Sequence, residues 1–439
     1  MVQQATAVPS NSYRYYILFM MMLTYMFNIT DRMVMSILIE DIKADFVLTD
    51  TQIGLLAGTA FTIFYVVLGI PAGRLADRTN RKKMLAIAVS LWSLMAALCG
   101  VATGFWTLFL ARLGVGIGES GGNPPAISII TNYFDTYELS RAMGIFSLGA
   151  ALGPVVGFVA GGLLAEAYGW RWTFIILGLP GVALGALVYL TVREPDRGRF
   201  SKDELEKAQA VKQEPFVETM SSLWKNRVFK RVALANSVGI IALYGFSIWL
   251  APILIRNFEI PVSQVGIYLG TAWIAGGVPG MILGGYFTDW LALRNPKWRA
   301  WYSALVILVA LPLLVGCLLA DNITLALVLY MLGYAAHCST QGPAIAMMQS
   351  SVSPTERGTA SSIAGLSATF LGYFIGPAVV GAISDNLVAD HGTMSLNYAM
   401  IAITVLSLTS AVAAYLYAAK AVSAQLPDPL PRDMTLQDA

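Results

Sequence analysis

Long apolar runs follow one another along this chain of 439 residues and limit its fold more than any other feature. A bilayer core about 30 Å thick needs roughly 20 apolar residues per helix. Backbone groups in lipid must be paired within the structure, which helices achieve and open sheets do not. The runs therefore predict twelve membrane-spanning helices. Their approximate bounds are 14–40, 51–76, 82–104, 105–132, 138–166, 170–192, 228–256, 262–290, 298–319, 322–350, 356–385 and 394–420.

The composition agrees with a membrane protein. Apolar residues make up 56% of the chain, charged residues 12%, and the mean hydropathy is +0.65, whereas about a quarter of the residues in soluble domains are charged. In such a chain a net charge of +2 does not indicate a nucleic-acid partner. The first run contains Asp31 and Arg32 and lacks a small-residue cleavage pattern, so it is interpreted as a mature helix and not as a signal peptide.

The positions of the basic residues predict the topology. If both termini are cytoplasmic, most of the 28 lysines and arginines fall on that side, and only Lys43, Arg171 and Arg256 fall on the other. The longest cytoplasmic loop divides the chain in the middle. The predicted domains are residues 1–192, a six-helix bundle; 193–227, a cytoplasmic linker with an interfacial helix; 228–420, a second six-helix bundle; and 421–439, a cytoplasmic tail. We expect a multi-pass protein of the cell membrane, such as a bacterial inner membrane.

The two bundles share motifs at nearly one offset along the chain. A Gly-x-x-x-Asp sequence ends the second and eighth spans, and glutamate with arginine opens the fifth and eleventh. These elements are Gly73 to Asp77 and Gly285 to Asp289, with Glu138 and Arg141 matched by Glu356 and Arg357. The matches indicate a duplicated six-helix unit. Two repeats that face each other across a cavity are typical of secondary carriers that work by rocking.

Three motifs resemble those of a known family. Gly73-Arg-Leu-Ala-Asp77-Arg78-Thr-Asn80-Arg81-Lys82 is similar to the signature loop of the major facilitator superfamily. Two further motifs, Asn28-Ile-Thr-Asp31-Arg32 and Arg112-Leu-Gly-Val-Gly116-Ile-Gly118-Glu119, resemble those of its spinster-like group. The segment Ser120-Gly-Gly-Asn-Pro-Pro125 departs from that group's pattern.

The resemblance implies an all-α membrane protein in which twelve transmembrane helices form two pseudo-symmetric bundles. It also implies a carrier, expected to be a monomer, whose partners are protons, the lipid bilayer and a small-molecule or lipid substrate. Spinster relatives are associated with lysophospholipids and sphingoid lipids.

Four charged residues lie inside predicted spans, namely Asp31, Arg32, Arg112 and Glu119. Such residues are costly in lipid and usually face a cavity with partners. Arg112 and Glu119 are two helical turns apart and so project from one face. If the first and fourth spans face the same cavity, one arginine could alternate between Glu119 and Asp31. Glu119 is predicted to be the main proton carrier, Asp31 a second one, and the arginines the charges that reset them. A permanent ion-pair cluster and a clamp for an anionic head group remain alternatives.

Polar and aromatic side chains mark a second face. Tyr330, Tyr334, His337 and Gln341 form a stripe in the tenth span, and other residues of this type lie in the first, fourth, seventh and eleventh spans. Such a face could bind an amphipathic solute, and polar packing between helices is the alternative. The predicted substrate-binding residues are Asn28, Asn123, Asn236, Tyr244, Tyr334, His337, Gln341 and Tyr373.

The cytoplasmic motifs predict a gate. Asp77 and Asp289 are expected to contact the starts of the eleventh and fifth spans, where helix N-termini favour a carboxylate. These latches would hold the form that is open to the outside. The alternative is that the basic loop after the second span only fixes the orientation of the chain in the membrane. The predicted gating residues are Gly73, Asp77, Arg78, Arg81, Glu138, Arg141, Asp289, Glu356 and Arg357.

The predicted function is proton-coupled transport of an amphipathic solute, lysolipid-like or an organic anion. Export is favoured because Gly149-x-x-x-Gly153-Pro154 resembles a signature of antiporters. The alternatives are proton symport of a small organic or sugar acid, and a receptor with a carrier fold. An enzyme is disfavoured because the chain has two histidines and neither a Gly-x-Ser-x-Gly nor a His-Glu-x-x-His motif. The three cysteines lack metal-site spacing, so neither a metal nor a cofactor is expected.

Overall fold

The computed structural model describes residues 10–195, 216–353 and 356–425, and nearly all of them are helical. Most of the predicted linker lies outside these ranges, and its last part forms the helix Phe216–Lys225. The first half of the chain contains Asn11–Ile37, Ile39–Phe46, Asp50–Gly54, Leu55–Thr59, Ala60–Arg78, Arg81–Cys99, Phe105–Ser120, Asn123–Tyr133 and Thr136–Thr191. The second half contains Arg227–Phe258, Val262–Ala272, Trp273–Gly277, Val278–Ala292, Trp298–Leu319, Ile323–Cys338, Gln341–Ser350, Arg357–Thr369, Phe370–Ile375, Gly376–His391, Gly392–Met394 and Ser395–Gln425.

Within the described ranges, nine continuous helical stretches are long and apolar enough to cross a membrane. The two longest, Tyr137–Thr191 and Arg357–Val422, each contain two of the predicted spans. The chain turns between those spans at Gly169 and Gly392, whose φ angles of 79° and 53° favour glycine. The fourth predicted span is helical but interrupted. The architecture is thus consistent with the twelve predicted spans, which are numbered below as in the sequence.

The internal repeat is visible in the backbone. Span 4 is interrupted at Gly121 and Gly122, and its counterpart span 10 is interrupted at Ser339 and Thr340. A π-helical segment also interrupts each of the corresponding spans 2 and 8, at Leu55–Thr59 and Trp273–Gly277. Carriers built from repeats commonly place such discontinuous helices next to their binding sites. The backbone therefore supports the duplicated unit that the motifs indicate.

Span 5 packs closely on span 1 through a row of glycines. A Cβ atom at Gly153 would lie 2.8 Å from the backbone oxygen of Met26, and one at Gly149 would lie 2.5 Å from that of Met22. The Thr30 hydroxyl donates a hydrogen bond of 3.1 Å to the Gly153 carbonyl. Small residues permit this approach between helices in lipid. The element likened to an antiporter signature is thus a packing seam within the first half.

The two halves touch at one end of the molecule, called the closed end below. There a Cβ at Gly54 would lie 2.3 Å from the Pro377 carbonyl oxygen, and one at Gly381 would lie 2.2 Å from that of Asp50. The opposite, open end carries the first and last described residues. At that end an added Cβ would have no neighbour within 4 Å at any of four glycines in spans 2, 5, 8 and 11. These are Gly73, Gly144, Gly285 and Gly358.

The closed end should depend on the contact between Gly54 and Pro377. Gly54→Ala places a methyl group against a backbone oxygen, so we expect it to separate spans 2 and 11. Spin labels on Gln52→Cys and Asn386→Cys, measured by pulsed electron resonance, should show a new population at longer distance. Gly104→Ala is the control, because a Cβ there meets nothing within 4 Å. An unchanged distance distribution in Gly54→Ala would contradict the prediction.

Candidate functional site

Span 1 and span 4 hold a buried ion pair in the first half. Arg32 donates hydrogen bonds from Nε (2.9 Å) and Nη2 (2.5 Å) to Oε2 of Glu119. The side chains of Arg32 and Glu119 are 10% and 0% exposed. Arg32 Nη2 also donates to the Asn28 side-chain oxygen at 3.3 Å. Three residues predicted from the sequence thus form one cluster, namely Asn28, Arg32 and Glu119. Glu119 lies one residue before the end of the first segment of span 4.

Arg112 and Asp31 lie in the same region but make no direct bond to that pair. Both are buried, at 1% and 4% exposure. Among the described residues, Arg112 Nε and Nη1, Asp31 Oδ2 and Glu119 Oε1 have no hydrogen-bond partner. Arg112 was predicted to alternate between the two carboxylates, and in this conformation Arg32 bonds Glu119 instead. Buried polar groups without a protein partner are uncommon, and four such atoms belong to the charged residues of this region.

Aromatic rings surround the Arg32 guanidinium. It lies 4.5 Å from the ring centre of Phe61 and 4.9 Å from that of Tyr65, both in span 2. Tyr373 of span 11 approaches from the second half at 5.9 Å. Tyr373 in turn stacks on Tyr244 of span 7 at 3.9 Å. These contacts, favourable between a cation and a ring face, join the charged cluster to the second half.

A cavity of about 270 Å³ lies in the second half between spans 7, 10 and 11. Its wall includes three of the predicted substrate residues, Asn236, Tyr244 and Gln341. Further polar residues on that wall, Gln349, Ser361 and Thr369, were not predicted. Ser361 and Thr369 lie about two turns apart on span 11. This spacing puts them on one helix face and could have identified them as a polar pair from the sequence.

Tyr334 and His337 do not line this cavity. Tyr334 is 4% exposed and packs against Trp273 at 4.9 Å and Tyr330 at 5.5 Å. His337 is 2% exposed and lies next to Gly239. For these two residues the alternative interpretation, polar packing between helices, therefore applies. The part of the stripe that lies before the break in span 10 is buried among the helices of the second half. Asn123 begins the second segment of span 4, is partly exposed, and is not on the cavity wall either.

An ionic network at the closed end was not predicted. Arg256 at the end of span 7 donates hydrogen bonds of 2.8 Å to both Glu40 and Asp50. Asp50, whose side chain is fully buried, is also 2.5 Å from Lys43. Asp385 of span 11 accepts the backbone N–H groups of Asp50 at 2.9 Å and of Thr51 at 2.8 Å. The network thus ties spans 2, 7 and 11 together across the two halves.

The sequence contains one signal for this network. Thr49-Asp50-Thr51-Gln52 is a capping box, and both of its hydrogen bonds are present. A capping box marks a helix start and so places Asp50 at the end of the bundle that also holds Lys43 and Arg256.

The predicted gating residues lie at the open end. Arg81 is buried and bound within its own half, to Glu194 at 2.8 Å and to the Pro195 carbonyl. Glu138 pairs with Arg14 of span 1.

The other described members of this set contact residues of their own half or are exposed. Asp289 is 3.8 Å from Arg299, and Arg141 lies over the Tyr15 ring. The Glu356 carboxylate accepts from Ser353 at 2.8 Å. Arg78 and Arg357 are exposed. The Asp77 side chain lies outside the described set, so its predicted contact stays a prediction, and Asp289 contacts its own half in this conformation.

Comparisons with known proteins agree on a family. The family model described as Major Facilitator Superfamily matches residues 21–377. An "MFS-type efflux pump" of Mycolicibacterium smegmatis is 32% identical over 398 residues, covering 90% of each chain. A "Probable L-galactonate transporter" of Escherichia coli is 28% identical over 60% of this chain and 59% of its own.

A solved structure is similar over nearly the whole chain. It is a bacterial homolog of the human lysosomal transporter spinster, in an inward-facing and unoccupied conformation. The TM-score is 0.86 with 29% identity, and the match covers 96% of this chain and 100% of the other.

Arg256 should hold the closed end together. Removing one partner from a buried ion pair costs about 3 to 5 kcal/mol, so Arg256→Gln should lower the melting temperature and increase the labelling of a cysteine introduced at Gln52. Arg171→Gln is the control, because its pair with Asp45 is exposed and lies within one half; such pairs contribute about 0 to 1 kcal/mol. Equal effects of the two substitutions would show that the network is not a gate.

Proposed function

Because the chain belongs to the Major Facilitator Superfamily, we propose that it is a proton-coupled secondary transporter that carries an amphipathic organic solute by alternating access. The observation that carries this proposal is the buried Arg32 and Glu119 pair, which lies against a residue of the other half. A charge at such a junction can respond to a proton, to a ligand and to the relative position of the halves. The proposal describes a multi-pass membrane transporter and not an enzyme.

In the proposed cycle, Arg32 has two competing partners. An ionised Glu119 holds the guanidinium, and a protonated Glu119 releases it to an anionic group of the solute. Loss of one partner from a buried pair is worth about 3 to 5 kcal/mol, while carriers interconvert between states that differ by a few kcal/mol. The free energy of breaking the Arg32 and Glu119 pair is therefore large enough to shift the balance between the two conformations. Asp31 and Arg112 form the second charged site that takes part in this exchange.

Alternating access would require the closed end to separate. The Arg256, Asp50 and Asp385 contacts hold the present form, and they must break before the other side can open. In the opposite form, Asp77 and Asp289 would contact the starts of spans 11 and 5, each worth about 0.3 to 1 kcal/mol. We propose that the open end, which is rich in basic residues, is cytoplasmic in a cell membrane, with both termini on that side. We also propose that the chain acts as a monomer.

The chemistry of the site supports an amphipathic anion as the proposed solute. The first half provides guanidinium groups, which suit carboxylate and phosphate. Phe61, Tyr65 and Tyr373 provide ring surface, and the second half provides amides and hydroxyls on its cavity wall. A lysolipid-like or sphingoid solute has an apolar body and a polar head that match these surfaces. The similarity to an efflux pump is the argument for export, whereas a cycle that loads a proton and an anion together has the sense of symport.

A second candidate is proton symport of a sugar acid. The cavity in the second half is lined by Asn236, Gln341, Gln349, Ser361 and Thr369, which suit several hydroxyl groups. With Arg32 as the carboxylate partner, this wall would fit an aldonic or uronic acid. The similarity to a probable L-galactonate transporter supports this candidate.

Glu119→Gln should separate coupling from transport. The amide keeps the shape of the side chain and can still accept a bond from Arg32, but it cannot load a proton. In proteoliposomes we expect proton-driven transport to fall to background while exchange of solute on both sides continues. Glu166→Gln, at an exposed position, should transport normally. Equal loss of driven transport and exchange would remove Glu119 from the coupling role.

The two substrate classes should be distinguished in the same vesicles. Under an imposed proton gradient we expect a labelled lysophospholipid or sphingoid-base phosphate to move at least several times faster than in vesicles with Glu119→Gln protein. Galactonate and glucuronate are the comparison solutes. Proton-driven uptake of the sugar acids without movement of the lipids would favour the symporter. Failure of both classes would contradict the substrate assignment.

A further inference from the structure

A second and larger cavity lies outside the charged site. It has a volume of about 670 Å³ and is formed by spans 2, 3 and 4 of the first half. Most of its lining is apolar, including Leu68, Pro71, Leu75, Ile87 and Leu91. Leu75 and Ile87 are 51% and 67% exposed, so the cavity opens on the flank of the bundle. It is called the flank groove below.

The flank groove has the length of one bilayer leaflet. Along span 2 its lining runs from Leu68 to Thr79, a distance of about 16 Å at 1.5 Å per residue. Half of a hydrocarbon core of about 30 Å is about 15 Å. One end lies at the open end of the molecule, and the other is formed by Leu68, Leu91 and Gly118. The groove therefore reaches from the membrane surface to about the midplane.

The polar lining is concentrated at the surface end, where Thr79, Asn80 and Lys83 lie. Asn80 is used locally, because its side chain accepts the backbone N–H of Lys83 at 2.8 Å. Among the neighbouring cations, Arg81 is bound to Glu194, and Lys82 lies over the Tyr189 ring. No ion pair to the Lys83 amine occurs within the described part of the chain. The mouth of the groove thus presents an ammonium group at the depth of lipid head groups.

We propose that the flank groove binds one acyl chain of an anionic phospholipid whose phosphate contacts Lys83. The apolar wall matches a single chain in length, and the lysine at its mouth matches the charge of the head group. Basic pockets between membrane helices on the cytoplasmic side recognise lipids in this way. This site is distinct from the charged cluster around Glu119 and does not depend on which solute the protein carries. Glu119 itself is not on the wall of the groove, although its neighbours Gly118 and Ser120 are.

Native mass spectrometry of the full-length protein can test whether the Lys83 ammonium group contributes to lipid binding. The probes are phosphatidylglycerol and phosphatidylcholine with identical acyl chains. We expect one phosphatidylglycerol to be retained preferentially and Lys83→Gln to weaken its retention about fivefold, as expected for one lysine near a lipid surface. The Lys83→Arg variant, which keeps the positive charge, should still retain phosphatidylglycerol. Lys420→Gln, an exposed lysine at the same end, is the control and should behave as the unchanged protein.

The apolar wall is tested with Leu75→Trp and Ile87→Trp, which add bulk at exposed rim positions. They should reduce retention of both lipids, and Leu308→Trp, exposed on span 9, should not. Equal retention of both lipids by the unchanged protein would mean ordinary boundary lipid and overturn the proposal. Displacement of phosphatidylglycerol by millimolar inorganic phosphate, with the Trp variants unchanged, would indicate an anion site without an acyl chain and would also overturn it.

Discussion

A charge inside a bilayer must find its partner within the protein, and the Arg32 and Glu119 pair meets that requirement here. Its two hydrogen bonds join span 1 to span 4 at the end of the first segment of span 4. The aromatic rings over the guanidinium come from span 2 and from span 11 of the other half. The position of one ion pair thus constrains four spans. Arg112 and Asp31 lie in the same region and retain unpaired atoms.

The closed end combines two kinds of contact that differ in how readily they separate. The glycine contacts at Gly54 and Gly381 bring backbones together and depend on close fit. The bonds of Arg256 to Glu40 and Asp50 instead involve charges whose desolvation offsets much of their attraction. A buried ion pair therefore contributes little net stability while fixing geometry. Such an interaction suits a contact that must form and break in each cycle of a carrier.

Local features of the sequence predict the spans, the repeat and the intramembrane charges, because hydropathy and charge are properties of single segments. Which arginine bonds Glu119 could not be predicted, since two residues on one helix face do not reveal what the next helix brings. The same limit applies to Tyr334 and His337, whose stripe was correct as a helical face but is packed in the core. The network of Asp50, Arg256 and Asp385 joins residues that are hundreds of positions apart. Only the fold brings them together.

The two halves keep the same backbone plan but differ in chemistry. The interruptions in spans 4 and 10 correspond, yet the charges gather near the first interruption, and the amides and hydroxyls line the cavity beside the second. Tyr373 touches both sides, because it faces Arg32 and stacks on Tyr244. It lies in a π-helical segment, a feature often found at functional sites. In the proposed cycle, a movement of span 11 would therefore change the surroundings of Arg32 and of the cavity wall together, which is what coupling a proton to a solute requires.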